Sequence, residues 1–472
     1  MLKTMTKRRQ QTSSQKSTKP ATNPSRAPAT RQTDGKALRK RTPRSSHSEW
    51  TPPRDRRDPI ELLIKSSTHR VQHLVPIRYG RMLQSAFAFY RGAAAIMAAD
   101  LSSTPSTGLR VQVCGDCHLM NFGIFATPER NLIFDINDFD ESLPGPWEWD
   151  LKRLTASFVI AGRHNNFKRS QPREAALAAA RGYREQMARF AQMGALQIWY
   201  ERVNVDDLLA HLPEKSFRAA AEAEIRKATH GGPEHDFPKL VDVEQKQPTI
   251  RDNPPLIYHP RRAEAREFIE DLRQAFARYR KTLSDERRVL LDRYTLTDHA
   301  VKVVGVGSVG TRCGVLLLMA GPNDPLFLQV KEATTSVLEP YLGKSTYANH
   351  GERVVNAQRL MQATSDLFLG WTQGRGGRHF YIRQLHDVKV KPMVEVYDPP
   401  TMNVYAQYCG WVLARAHARS GNPKLISEYL GNTDRFDQSV ANFAESYADQ
   451  NERDYQEFVG AVRKRRLHAT LE

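Results

Sequence analysis

Residues 300–333 constrain the fold most. A strand leads into Val304-Gly305-Val306-Gly307-Ser308-Val309-Gly310. A second apolar run spans Cys313 to Met319, Gly321-Pro322-Asn323-Asp324 makes a tight turn, and a third run spans Leu326 to Glu332. Turns this close together exclude helices, which need roughly ten residues or more, and the short turn makes the last two strands an antiparallel hairpin. Elsewhere the periodicity is helical: Ala86 to Leu101, Glu148 to Arg163, Ala175 to Met193, Arg262 to Leu283, Gly351 to Thr364, Val404 to Arg419 and most of the last fifty residues. Short strands are expected at Val111 to Val113, Asn131 to Ile136 and Phe380 to Leu385, and a long loop or insertion at 228–260. A small β-rich block within a mainly helical chain of 472 residues is an α+β fold with room for two lobes.

Charge is concentrated at the start. Residues 1–57 hold sixteen Lys and Arg against Asp34, Glu49 and Asp55, so they carry +13 of the net +18 and leave +5 for the rest. This stretch is rich in Thr, Ser, Gln and Pro and poor in apolar residues. It cannot bury enough surface to offset its ordering entropy, so a disordered basic tail is expected over 1–57. Such an arm suits an anionic partner. No apolar run resembles a signal peptide or approaches a membrane span. The four cysteines, Cys114, Cys117, Cys313 and Cys409, are too few for a disulfide scaffold and suit a reducing cytoplasm. Cys114-Gly115-Asp116-Cys117 is formally a CxxC. It precedes a loop rather than a helix and has no second pair, which argues against redox and zinc roles.

The polar residues around Asp116 point to chemistry. Asp116 follows a strand and a glycine, so its carboxylate stands on a tight turn. Asn121, five residues on, offers an amide oxygen to a hard cation. Asp138, seventeen residues further, ends a strand and offers a second such oxygen, and Asp140 shares its turn. Magnesium binds through one or two such ligands together with phosphates and water. Phosphoryl transfer needs this metal and a carboxylate that orients the acceptor hydroxyl.

Gly115-Asp116-x-His118-x-x-Asn121, a strand ending in Asp138-Phe139-Asp140, and then Trp149-Asp150-Leu151 resemble the catalytic core of the aminoglycoside phosphotransferase and choline kinase branch of the protein-kinase-like superfamily. The resemblance implies Asp116 as catalytic base and Asn121 and Asp138 as metal ligands. Two departures are Cys114, where that branch has histidine, and Asn137 directly before Asp138.

The glycine run also resembles the kinase flap over the ATP phosphates, because a strand rather than a helix follows it. Gly305, Gly307, Ser308 and Gly310 are then expected to cover the phosphates, and Lys331, on the next strand but one, to pair with them. Arg383 and Gln384 are further nucleotide-binding candidates. The acidic partner of Lys331 is expected to be Glu352, with Glu339 as the alternative. Arg312 either touches phosphate or points to solvent. In kinases the glycine loop precedes the catalytic loop, whereas here it follows. Either the fold is circularly permuted or two unrelated motifs coincide. The permuted reading gives a large helical lobe at 58–285, a small β-rich lobe at 286–390 and a helical completion at 391–472. Both the Val404 to Arg419 helix and Ala86 to Leu101 are candidates for the helix that precedes the catalytic loop in phosphotransferases.

Over about residues 60 to 425 the chain is also similar to the bacterial family called domain of unknown function 2252. VPIRYGRML from Val75, GDCHLMNFG from Gly115, FDINDFDE from Phe134, QVKEA from Gln329 and ARAHARSG from Ala414 carry that likeness. Arg78, Arg81, Arg91, Arg383 and Lys389 in these blocks are candidates for phosphate contacts or for salt bridges at the core edge. The expected function is a kinase-like phosphotransferase using ATP and Mg²⁺ in the cytoplasm. Alternatives are a nucleotidyl transferase, a metal-dependent phosphoesterase and a non-catalytic nucleotide or nucleic-acid binder.

Overall fold

The computed structural model describes residues 34–48, 50–230, 237, 240–242, 248–254, 256–259, 272–302, 309–385 and 389–471. Asp34–Glu472 group as one compact unit. Fourteen strands are described: β1 Arg110–Val113, β2 Phe122–Ala126, β3 Leu132–Ile136, β4 Leu143–Pro146, β5 Val203–Asn204, β6 Val241–Asp242 and β7 Thr249–Ile250. They continue with β8 Ile257–Tyr258, β9 Thr295–Lys302, β10 Cys313–Gly321, β11 Asp324–Ala333, β12 Gly370–Gln373, β13 His379–Gln384 and β14 Lys389–Val390.

The largest sheet runs β12-β13-β11-β10-β9-β8, with every pair antiparallel. The β10–β11 hairpin pairs Cys313 with Lys331 and Leu316 with Leu328, and β13 sets Tyr381 beside Lys331 and Arg383 beside Gln329. Side chains alternate along a strand. Leu316, Leu318, Leu328 and Ile382 therefore pack on one face with Tyr279, Leu283 and Leu291. Val315, Leu317 and Phe327 face the other way, against Phe237, Val241 and Ile250. Lys331 and Gln329 share the second face. The helix His350–Met361 follows β11 and precedes β12, and the Asn349 side chain starts it by accepting from Gly351 N and Glu352 N.

The helical body is built on Trp147–His164, Gln171–Phe190, Pro399–Ser420 and Arg435–Arg463. The Gln171 and Pro399 helices cross at glycines. A Cβ on Gly410 would lie 2.1 Å from the Ala179 carbonyl oxygen, and one on Gly182 would lie 2.4 Å from that of Gln407. Only glycine permits that approach. Trp147 stacks on Tyr183 at 5.5 Å between ring centroids. The Asp116–Asn121 segment leads directly into β2 of the four-stranded sheet β14-β2-β3-β5.

Several expectations are corrected. Residues 34–48 and 50–57 belong to the folded unit rather than to a disordered tail. Gly35–Arg41 is helical, and Arg56 pairs with Asp100 and Asp454, both nearly fully buried. Ala86 to Leu101 is two helices, Ala86–Gly92 and Ala94–Leu101, because Ala93 leaves helical geometry (φ −108°, ψ 29°). The small β-rich unit starts ahead of residue 286, since β8 and a helix at 272–280 join it. Residues 228–260 include the end of the Lys215–His230 helix and short strands as well as loop. Residues 262–271 of the expected Arg262 to Leu283 helix lie outside the described residues. No described helix is long and apolar enough to cross a membrane.

Candidate active site

Asp116 stands on a turn fixed from below. Gly115 has φ +80°, a conformation L side chains avoid, and a Cβ there would lie 2.5 Å from the Glu141 carbonyl oxygen. The turn is tied to the Trp147–His164 helix by Asp150, whose carboxylate accepts from Cys114 N at 2.8 Å and Gly115 N at 2.9 Å. His417 Nε2 lies 3.2 Å from the same carboxylate, and Tyr183 Oη contacts His417 Nδ1 at 2.9 Å. Cys114, Cys117 and Asp150 are close enough to share an ion. The Asp150 oxygens are already engaged, however, and burial pushes the Cys117 thiol up to about 11 and the Cys114 thiol higher still than usual. Asp150 thus ties the Asp116 turn to the Trp147–His164 helix and to His417.

Arg153, one turn beyond Asp150 on that helix, donates through Nε to Asp116 Oδ1 at 2.6 Å and pairs with the same oxygen through a second nitrogen. Oδ2 faces His118 Nε2 at 3.9 Å. Burial raises the Asp116 pKa and Arg153 opposes the rise. Burial, with Arg153 and Arg91 nearby, pushes His118 well below its usual value, so this imidazole is neutral at pH 7. Asn121 donates its amide N–H to the Asp116 carbonyl at 2.7 Å, which turns its amide oxygen the other way. The Asn121 carbonyl accepts from Asn137 N at 2.8 Å, tying the loop to the Asp138 turn.

Lys331 meets that turn. Its ammonium lies 3.6 Å from Asp138 Oδ2 and forms a close ion pair with Asp140. Burial disfavours the charge on Lys331, but the two aspartates outweigh it and hold the ammonium well above its usual range. Burial likewise works against Asp138, and Lys331 and Arg383 overcome it, so this carboxyl lies below its usual range. Tyr381 Oη donates to Asp140 Oδ1 at 2.8 Å. Arg383 donates to the Asn137 carbonyl at 3.3 Å and to Gln329 Oε1 at 3.1 Å. Asp116, Asn121, Asp138, Asp140, Lys331 and Arg383 thus form one connected neighbourhood from three parts of the chain.

Other candidates stand elsewhere. Glu352 makes no ion pair with Lys331, nor does Glu339, which lies 3.9 Å from His350. The neighbouring Arg353 reaches the turn instead, donating to the carbonyls of Asp140 at 2.8 Å and Ser142 at 2.6 Å. Helical spacing places Glu352 about 100° from Arg353, away from the turn. Gln384 alternates to the opposite side of β13 from Arg383, and its backbone N–H donates to Asp366. Arg312 pairs with Glu332 at 3.2 Å. Arg78 is a core residue bonded to Ser67 and Gly92. Gly305, Gly307 and Ser308 lie outside the described residues. Gly310 has φ +86°, and its carbonyl accepts from Val71 N at 2.7 Å.

Sequence reasoning missed Arg153 and Arg353. Arg153 had a signal in its place three residues after Asp150, which puts both on one helix face. Nothing in the local sequence distinguishes Arg353 from a solvated helical arginine.

The site spans residues 91 to 417, and the comparisons bear on that span. The sequence model of a family described as uncharacterised proteins conserved in bacteria, DUF2252, matches residues 70–461. The chain belongs to this family. No curated protein and no solved structure matches it. The DUF2252 span takes in both the Asp116 loop and Lys331, so the two halves of the site belong to one family unit.

Proposed function

We propose that the chain is a phosphotransferase of the kinase type, using Mg-ATP on an acceptor of unassigned chemistry. The observation that carries the reading is the meeting of Lys331 with Asp138, 193 residues away in sequence, and with Asp140 on the same turn. Chance coincidence of two motifs gives no reason for the lysine of one to contact the aspartates of the other. The order of the small sheet supports the same reading. The glycine run falls in sequence between β9 and β10, Lys331 is on the next strand, and a helix follows before β12 and β13. The order of strands, lysine and helix is the one expected of a kinase small lobe. The reversed order along the chain fits circular permutation, which costs little where termini lie at a surface.

In this reading Asp116 Oδ2 takes the acceptor hydroxyl proton while Arg153 holds Oδ1. Lys331, freed from its aspartates by the ligand, contacts phosphate oxygens. The donor set around Asp138 is of hard oxygens, Asn121 amide and carboxylates, which fits Mg²⁺. When bound, the metal neutralises phosphate charge. Arg353 takes the place of an acidic helix residue. It fixes the Asp140 backbone, whereas Lys331 is neutralised by the metal-binding turn itself.

The test is thermal. Mg-ATP at a hundredfold excess over its Kd should stabilise the native chain by about 2.7 kcal/mol, seen as a rise in Tm. Asp138→Ala should abolish that rise while the chain stays folded. An equal rise in the variant would remove Asp138 from the metal site. No rise in the parent chain would sink the nucleotide reading.

A further inference from the structure

A cavity of about 1400 Å³ opens beside the site and shares Asn137, Gln329 and Arg383 with it. Its floor is β2 and β14, and one wall is the Lys215–His230 helix. Phe217, Ala221 and Ile225 recur every four residues and so present one helix stripe to it. Leu208, Tyr397 and Tyr405 continue the apolar lining, with the Phe217 and Tyr397 rings 6.2 Å apart edge to face. Cations line it as well, among them Arg383 on β13, Lys389 on β14, and Lys391 just after β14.

Lys389 and Lys391 form no ion pair among the described residues. Of the acids lining the cavity, Asp366 accepts from the backbone N–H groups of Phe368 and Gln384 and supports the charge of Arg383, Asp324 accepts from Tyr294 Oη at 3.1 Å, and Glu224 is exposed. Cavities that hold small molecules are mostly apolar with a few convergent polar groups, over about 300–1000 Å³. This one exceeds that range and is lined both by an apolar stripe and by cationic side chains.

We infer that the cavity is a binding site for an amphiphilic anion, with an alkyl or aryl body against the Phe217–Ile225 stripe and a phosphate-like head at Arg383, Lys389 and Lys391. The apolar lining, Lys389 and Lys391 lie outside the Asp116–Lys331 cluster, and Arg383 is the residue the two sites share.

The probe is decyl phosphate at a concentration below micelle formation, with decanol and inorganic phosphate as controls, measured on the full chain by calorimetry and by Tm. Decyl phosphate should bind at least tenfold tighter than either control. Ala221→Trp, which fills the space along the apolar stripe, should remove that binding and leave the Mg-ATP shift in place. Lys389→Gln with Lys391→Gln should weaken decyl phosphate at least tenfold and leave decanol unchanged; these lysines are exposed at a strand end, so this variant reports on the site even if the tryptophan variant does not fold. Asp138→Ala should leave decyl phosphate binding intact, which separates this site from the nucleotide reading. Decyl phosphate binding no tighter than decanol, binding unchanged by the lysine pair, or binding abolished by Mg-ATP would each overturn the proposal.

Discussion

Asp116 gives one carboxylate oxygen to Arg153 and keeps the other free of any carboxylate or cation within hydrogen-bonding distance. A general base must be ionised and correctly turned. Arg153 serves both needs: its charge opposes the rise that burial imposes on the Asp116 pKa, and its donation from Nε fixes the carboxylate plane. If Asp116 is the base proposed above, Arg153 is its positioning residue. In Arg153→Ala the carboxyl should rise further, so the acid limb of the rate–pH profile for Mg-ATP turnover should move to higher pH, with a rate loss of roughly 10²–10⁴ at neutral pH. Arg153→Lys, which keeps the charge but not the planar fork, should restore most of the pH profile and only part of the rate. A purely packing role predicts equal losses in both variants and no movement of the acid limb.

At the scale of elements, the site depends on two short turns held at strand ends. The Gly115 turn is pinned by Asp150 beneath it and by the Glu141 carbonyl beside it. Gly115→Ala would incur both the left-handed backbone cost and a clash with that carbonyl, together about 2 kcal/mol or more. Urea unfolding should show that loss, and the Mg-ATP thermal shift should fall with it because Asp116 and Asn121 ride on the same turn. A loss below 0.5 kcal/mol would mean the turn relaxes freely. Much of this was legible in the sequence. The glycine before Asp116, the hairpin at Gly321–Asp324 and the period-2 placement of Lys331 are local signals that survived folding. Glu352 misled because helix phase relative to a distant sheet is set by packing, and here it turns Arg353 inward. The break at Ala93 was invisible because alanine favours helix.

Over the whole molecule, the start of the chain divides more sharply than composition suggests. Residues 1–33 carry eight Lys and Arg and no acid. Residues 34–57 are also basic, yet they are part of the folded unit, because their cations have specific partners. Arg39 donates to the Tyr429 carbonyl at 2.9 Å and Arg44 to that of Leu430 at 2.6 Å. Arg56 bridges Asp100 and Asp454, joining the Ala94–Leu101 and Arg435–Arg463 helices through one guanidinium, and Tyr447 Oη also donates to Asp100. Composition counts such arginines as solvated charge, but buried carboxylates left without them are costly. Arg56→Ala should therefore destabilise the chain by about 3–5 kcal/mol. Deleting residues 1–57 should lower Tm at least as much, whereas deleting 1–33 should leave Tm within about a degree of the parent. The two deletions also separate fold from any anion binding by the tail. If a duplex nucleic acid binds the full chain in a salt-sensitive way, the 1–33 deletion should remove that binding without touching Tm. A large loss of Tm on removing 1–33 alone, or none on removing 1–57, would show that the folded unit does not begin at Asp34.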